Sequence, residues 1–236
     1  MAVQWDSFKN VSYTGSANTA SWYHALGAPG PGYFGRGKNA CLVIVSGMAD
    51  SVSEEGIESI TVDGAPVTNV LYAGNANSRL DYFLLPQSGY FTPLIEMTFS
   101  GIGNQKGAFG GSFLCYGVDQ TTPIINAVAA SGNSTTPSAS LLLTDPDNIS
   151  LFKLTRYSGT GDSIVSNALD GRHLKEMFPY NQPGDPAVLS VSGHHAMTAN
   201  GNGGTRAASW VMNSSKPWTV HRCEIKAAKG LHTVEL

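Results

Sequence analysis

Asn39-Ala-Cys-Leu-Val-Ile-Val45 and, after it, Ile57-Glu-Ser-Ile-Thr-Val-Asp-Gly-Ala-Pro-Val-Thr68 are the stretches whose reading decides the fold. The first is a short apolar run that reads as a strand. In the second, Ile60 and Val62 alternate with Ser59, Thr61 and Asp63, so an extended chain there has one apolar and one polar face. Asp63-Gly64 supplies the positive φ angles of a tight hairpin turn. Short alternating strands punctuated by such turns are the sequence form of an antiparallel β-sandwich.

The same grammar extends in both directions. Upstream, residues 3–13 and 19–25 read as strands. They are followed by Gly27-Ala-Pro-Gly-Pro-Gly-Tyr-Phe-Gly-Arg-Gly37, a glycine- and proline-rich arch that cannot be helical. A dinucleotide-binding reading of its glycines fails, because no strand leads directly in and no helix follows. Downstream, strands at 80–85 and 93–99 flank Pro86-Gln-Ser-Gly89, and 109–116 is a glycine-spaced aromatic strand. Residues 121–136 turn small and polar, which predicts a long loop across one end of the sandwich. Strands resume at 141–144, 149–157 and 187–191. Residues 170–178 form the one expected helix, capped by Asp170. His194 to Gly204 reads as an exposed loop, and strands at 205–212 and 218–225 close the domain. With no repeat and no linker, the expectation is all-β: one antiparallel sandwich over residues 1–236, with an N-terminal arm, the arch at 27–37 and at most one short helix.

Composition supports a packed domain of low charge. Of 236 residues, 42% are hydrophobic and only 13% charged, about half the usual share. The net charge of −3 argues against a nucleic-acid partner, since a backbone binder needs clustered Lys and Arg. The densest basic group (His221, Arg222, Lys226, Lys229) includes Glu224 and reads as a solvated chain end. No apolar run approaches the about 20 residues of a membrane helix, and no signal peptide is expected, which places synthesis in a host cytoplasm. Cys41, Cys115 and Cys223 each lie in an apolar strand, so three reduced core thiols are expected, with a Cys41–Cys115 staple left open and zinc disfavoured by the spacing.

Candidate chemistry is sparse. Asp119-Gln-Thr-Thr-Pro123 could furnish a calcium site from Asp119 and Thr121 with Asp81 or Asp63, but a backbone-bonded turn explains it better. His194-His195 could bind a metal with His173 or His221, yet adjacent strand residues point to opposite faces. Gly110-Gly-Ser-Phe-Leu is not a nucleophile elbow. Glu54, Glu55, Glu58, Glu96, Glu176 and Glu224 show no spacing that marks a glycosidase pair. No catalytic residue, cofactor or metal is therefore expected, and the chain is read as a non-enzyme. Trp22, Tyr23, Tyr33, Phe34 and Arg36, in or beside the arch, are the candidate interface, the aromatics as a platform for a partner protein or a sugar ring. Trp210 and Trp218 are assigned to the core.

The order of motifs carries a resemblance. An N-terminal tryptophan strand leads to Asn39-x-x-Leu-Val-x-Val45 and the Ile57–Thr68 hairpin. Tyr82-Phe-Leu-Leu-Pro-x-Ser-Gly89, Tyr116-Gly-Val-Asp-Gln-Thr-Thr-Pro123 and a closing Trp218…Glu224-Ile-Lys226 follow. This resembles a jelly-roll-like β-sandwich domain of tailed-bacteriophage virion proteins and some bacterial surface proteins, over roughly residues 5–228. The resemblance implies a virion structural protein, most specifically a head decoration (cement) protein on the capsid surface. Its partners would be the major capsid protein and its own copies, as a homotrimer, with the arch and the chain ends as contact elements. The alternatives are a tail or baseplate adaptor or host-binding protein, and a carbohydrate-binding module.

Overall fold

The computed structural model describes residues 3–13, 18–24, 39–48, 56–73, 78–85, 92–100, 108–158, 164–169, 190–198 and 204–229. Every regular element among them is a strand. The first nine are β1 (Gln4–Tyr13), β2 (Thr19–Tyr23), β3 (Cys41–Met48), β4 (Ile57–Val62), β5 (Ala65–Pro66), β6 (Thr68–Ala73), β7 (Ser78–Leu84), β8 (Leu94–Phe99) and β9 (Ala108–Tyr116). The remainder are β10 (Ile124–Ser134), β11 (Ser138–Leu143), β12 (Ile149–Ser158), β13 (Ile164–Leu169), β14 (Ser190–Thr198), β15 (Gly204–Met212) and β16 (Lys216–Ile225).

All pairings between these strands are antiparallel, and they form four sheets. Sheet I runs β2-β8-β4-β5, sheet II β1-β9-β3-β7-β6, sheet III β10-β16-β12-β14 and sheet IV β11-β15-β13. Three apolar cores set their stacking order. Trp22, Ile60, Ile95 and Met97 of sheet I meet Leu42, Ile44, Met48 and Leu114 of sheet II. The other face of sheet II, through Val43, Val45, Leu80 and Phe113, meets Ile149, Leu151, Cys223 and Ile225 of sheet III. Phe152, Leu154 and Val220 on the far side of sheet III meet Leu141, Ala208 and Trp210 of sheet IV. The molecule is thus a β-sandwich of four stacked sheets, the first two from residues 4–116 and the last two from 124–225.

Stacking explains the burial patterns. β3 and β12 are covered on both faces, so Cys41–Met48 is buried at every position and alternation disappears, as in any strand sandwiched between layers. The outer strands β2, β11 and β15 alternate strictly. The hairpin at residues 57–66 forms as expected: Asp63 (φ 48°) and Gly64 (φ 79°) make the type I′ turn, and Asp63 Oδ1 accepts the Leu94 N–H at 2.8 Å, tying the turn to β8.

Several expectations change. The long loop at 121–136 is instead largely β10, paired with β16 from Ile124 to Ser134. Its small residues have a packing reason: a β-carbon at Gly132 would lie 2.7 Å from Cζ2 of Trp218, its cross-strand partner, so the indole covers the glycine. His194 and His195 lie in β14, opposite Leu154 and Lys153, and not in a loop. The strands flanking Pro86-Gln-Ser-Gly89 belong to different sheets, β7 to II and β8 to I. The 170–178 helix, the 27–37 arch and the chain ends at 1–2 and 230–236 lie outside the described residues.

Candidate functional site

The expected interface divides at β2. This edge strand alternates, so Ala20 and Trp22 turn inward while Ser21 and Tyr23 turn outward. Trp22 is therefore a core residue, 7% exposed, which corrects its assignment to a surface platform. Its indole N–H donates to Ser112 Oγ at 3.0 Å, and Ser112 Oγ lies 2.6 Å from His24 Nδ1. The Ser112 hydroxyl has one proton and two lone pairs, so it can accept from Trp22 and still bond His24 in either tautomer. Ser112 and His24 are both fully buried, so this serine–histidine pair works as a strut between sheets I and II. Tyr23 is 63% exposed, on the outer face with Ser21 and Glu96. Tyr33, Phe34 and Arg36 lie outside the described residues.

The Asp119 corner is a backbone-bonded turn. Asp119 Oδ1 accepts the backbone N–H groups of Thr121 (2.9 Å) and Thr122 (2.8 Å), and Oδ2 meets Lys226 Nζ at 3.0 Å. The Thr122 N–H, followed by Lys226 and Thr121, outweighs partial burial and holds the carboxyl down to about 2. Asp81 is engaged elsewhere, by Arg79 and Asn69, and Asp63 by Leu94. Among the described residues no group of three or more His, Cys, Asp or Glu is placed to hold a metal.

The basic cluster near the end of β16 is not a solvated tail. His221 is 1% exposed, Arg222 reaches across to the Ser140 carbonyl, and Lys226 pairs with Asp119. Glu224 is fully buried and satisfied by Asn126, Thr144 and Asn148, which fastens β10 and the 144–148 turn to β16. Glu58 and Glu96 are exposed on sheet I, several layers away. Cys41, Cys115 and Cys223 are free and buried in the core between sheets II and III. Cys41 and Cys115 stand directly opposite in the β3–β9 ladder.

Among the described residues, the outer faces of the stack are those of sheets I and IV. On sheet IV the outward positions are Ser138, Ser140 and Leu142 of β11 and Thr205, Ala207, Ser209 and Val211 of β15, with Val165 and Ser166 of β13 alongside. None of these carries a charge. Leu142 and Val165 are each 63% exposed and Val211 39%. Nothing in the sequence alone separates these residues from inward ones, because the clue is the register with β15.

No family model matches the sequence, and no curated protein does either. Among solved structures, the chain is similar over 93% of its length to 66% of PNGF-II, at 9% identity and a TM-score of 0.30. It is also similar, over 93% of its length, to 34% of a BuGH86 variant in complex with neoagarooctaose, at 10% identity and a TM-score of 0.23. Likeness at this level assigns neither family nor activity.

Proposed function

We propose that this chain is a structural subunit of a bacteriophage particle, decorating the head and cementing the shell through protein–protein contact. The observation that carries the reading is the outer face of sheet IV, whose described outward residues carry no charge and include Leu142, Val165 and Val211, open to solvent. Centres of protein interfaces are depleted in charge, and exposed apolar surface marks contact sites. The order of motifs and the low charge content point the same way. On this reading copies associate, as a homotrimer, and bury that face against each other and the major capsid protein, bridging neighbouring shell subunits. No catalytic residue, cofactor or metal enters the mechanism.

The test is binding of the purified chain to DNA-free shells, with wild type against Leu142→Asp and Val211→Asp. Both positions are exposed, so the fold tolerates the change. Loss of occupancy in the variants supports the reading, and equal occupancy overturns it. Labelling whole particles with an antibody separates the head from a tail or baseplate position.

A carbohydrate-binding role is the second reading, favoured by Tyr23 alone: an exposed aromatic beside Ser21 and Glu96 suits stacking on a sugar ring. A glycan screen giving a saturable ligand, lost in Tyr23→Ala, would favour it over shell binding.

A further inference from the structure

The contact between sheets II and III is apolar at one end and polar at the other. At the polar end Lys153, on β12, is fully buried, yet its Nζ reaches across to sheet II. It donates to the carbonyl of Ser46, to Ser78 Oγ at 2.7 Å and to the carbonyl of Arg79 at 2.8 Å. The Phe109 ring lies 5.6 Å from the same nitrogen, and Ser78 Oγ is in turn 2.9 Å from Thr155 Oγ1. Two of the three acceptors are carbonyls, which can only accept, so the nest is built for one cation. Directly opposite Lys153 in the β12–β16 ladder stands His221, 1% exposed, with neither ring nitrogen hydrogen-bonded.

A second cation has nowhere to go. The ionisable groups on the strands around His221 divide by face: Arg156 of β12 and Arg222 and Glu224 of β16 share the parity of Leu154 and Val220, toward sheet IV, as does the position of His194 on β14. On the other side are Lys153 and, further along, the position of Tyr157 on β12, His195 at the position opposite Lys153 on β14, and Arg79, Asp81 and Tyr82 on β7. The thiols of Cys41 (β3), Cys115 (β9) and Cys223 (β16) complete the set, with exposed Tyr72 on β6. β10 contributes none. Both carboxylates on these strands are already engaged: Asp81 by Arg79 at 2.8 Å and Asn69 at 2.9 Å, and Glu224, on the other face of β16, by Asn126, Thr144 and Asn148. A protonated His221 would therefore present two buried N–H donors without acceptors, beside another positive charge.

We propose that the Lys153–His221 pair is an acid-sensitive latch between the two halves of the chain, closed while His221 is neutral and loosened when it takes a proton. Burial first, and the neighbouring Lys153 second, push the imidazole well below its ordinary value of 6.5. Desolvation likewise lowers Lys153, with Arg79 adding to the lowering and Asp81 opposing it. The sign follows. With the folded value depressed, the unfolded chain takes up the proton first as pH falls below about 6.5, so the contribution of His221 is complete above that pH and lost below it. One proton of difference changes the unfolding constant by about ten-fold per pH unit.

The experiment is denaturant unfolding of the full chain at pH 7.5, 6.0 and 5.0, for wild type and His221→Leu. The latch predicts that wild type loses about ten-fold more in its folding constant than the variant between pH 6.0 and 5.0. Amide protection factors around Lys153 and Thr155, corrected for the pH dependence of intrinsic exchange, should fall on acidification in wild type only. Parallel pH dependences in the two proteins overturn the proposal. Should His221→Leu fail to fold, the ring resonances of wild type decide. A His221 that stays neutral in the folded protein at pH 5.5 upholds the latch, and one that titrates with an ordinary midpoint near 6.5 removes it.

Discussion

Trp22 and Gly110 occupy one space between sheets I and II: a β-carbon built at Gly110 would lie 2.6 Å from Cη2 of the indole. Two residues further along the same face of β9, Ser112 accepts the indole N–H. Glycine and serine together make the seat that turns Trp22 from a surface aromatic into a core one. Gly110→Ala should therefore destabilise the fold by about 1–3 kcal/mol through overpacking, with a shift in tryptophan emission as the ring is displaced. Urea unfolding with fluorescence detection reads both, and an unchanged midpoint would mean that the ring is not held there.

The core between sheets II and III draws on both halves of the sequence, Val43, Val45 and Phe113 from one and Ile149, Leu151 and Ile225 from the other. Leu151 is 1% exposed at its centre. Leu151→Ala should cost about 2–5 kcal/mol, and the loss should register equally with probes in either half, as a single transition. Two transitions, only one of them moved by the substitution, would show that the halves fold separately.

Much of this architecture is legible in the sequence where one face of a strand is wet. The Ile57–Thr68 hairpin declares itself through alternation and Asp63-Gly64. The four-layer stack is harder to read. A strand covered on both sides loses its alternation, and β12 carries Lys153, Thr155 and Arg156 into burial, which no hydropathy pattern marks. β10 escapes notice because Ala, Ser, Gly and Asn signal a loop, while the residue that makes them fit, Trp218, lies far along the chain. Trp22 is misread for a related reason: its neighbour Tyr23 does face solvent, and only the parity of β2 separates the two. The exposed side of sheet IV becomes visible only when β11, β13 and β15 are set in register.

Burial pushes all three thiols up: Cys115 to about 12, with Cys41 and Cys223 also raised and electrostatically coupled to Cys115. A thiolate is the reactive form, so a disulfide reagent should find no reactive thiol in native buffer and three in denaturant. A thiol that reacts within minutes in the native protein would show that the core between sheets II and III opens.

Asp119 anchors the acid side of the stability profile. Its carboxyl, held to about 2 by Thr122, Lys226 and Thr121, contributes stability that is complete above its ordinary 3.8 and lost as pH falls through the folded value. Asp119→Asn should flatten the melting curve between pH 4 and 2 relative to wild type. Equal acid sensitivity in both proteins would mean that the corner is not intact in solution.

The mass of the purified chain in solution, by light scattering over a wide concentration range, tests the structural-subunit account most directly. The account predicts a defined oligomer, a trimer, that Leu142→Asp with Val211→Asp reduces to a folded monomer. A wild-type chain that stays monomeric at every concentration would contradict association through the sheet IV face.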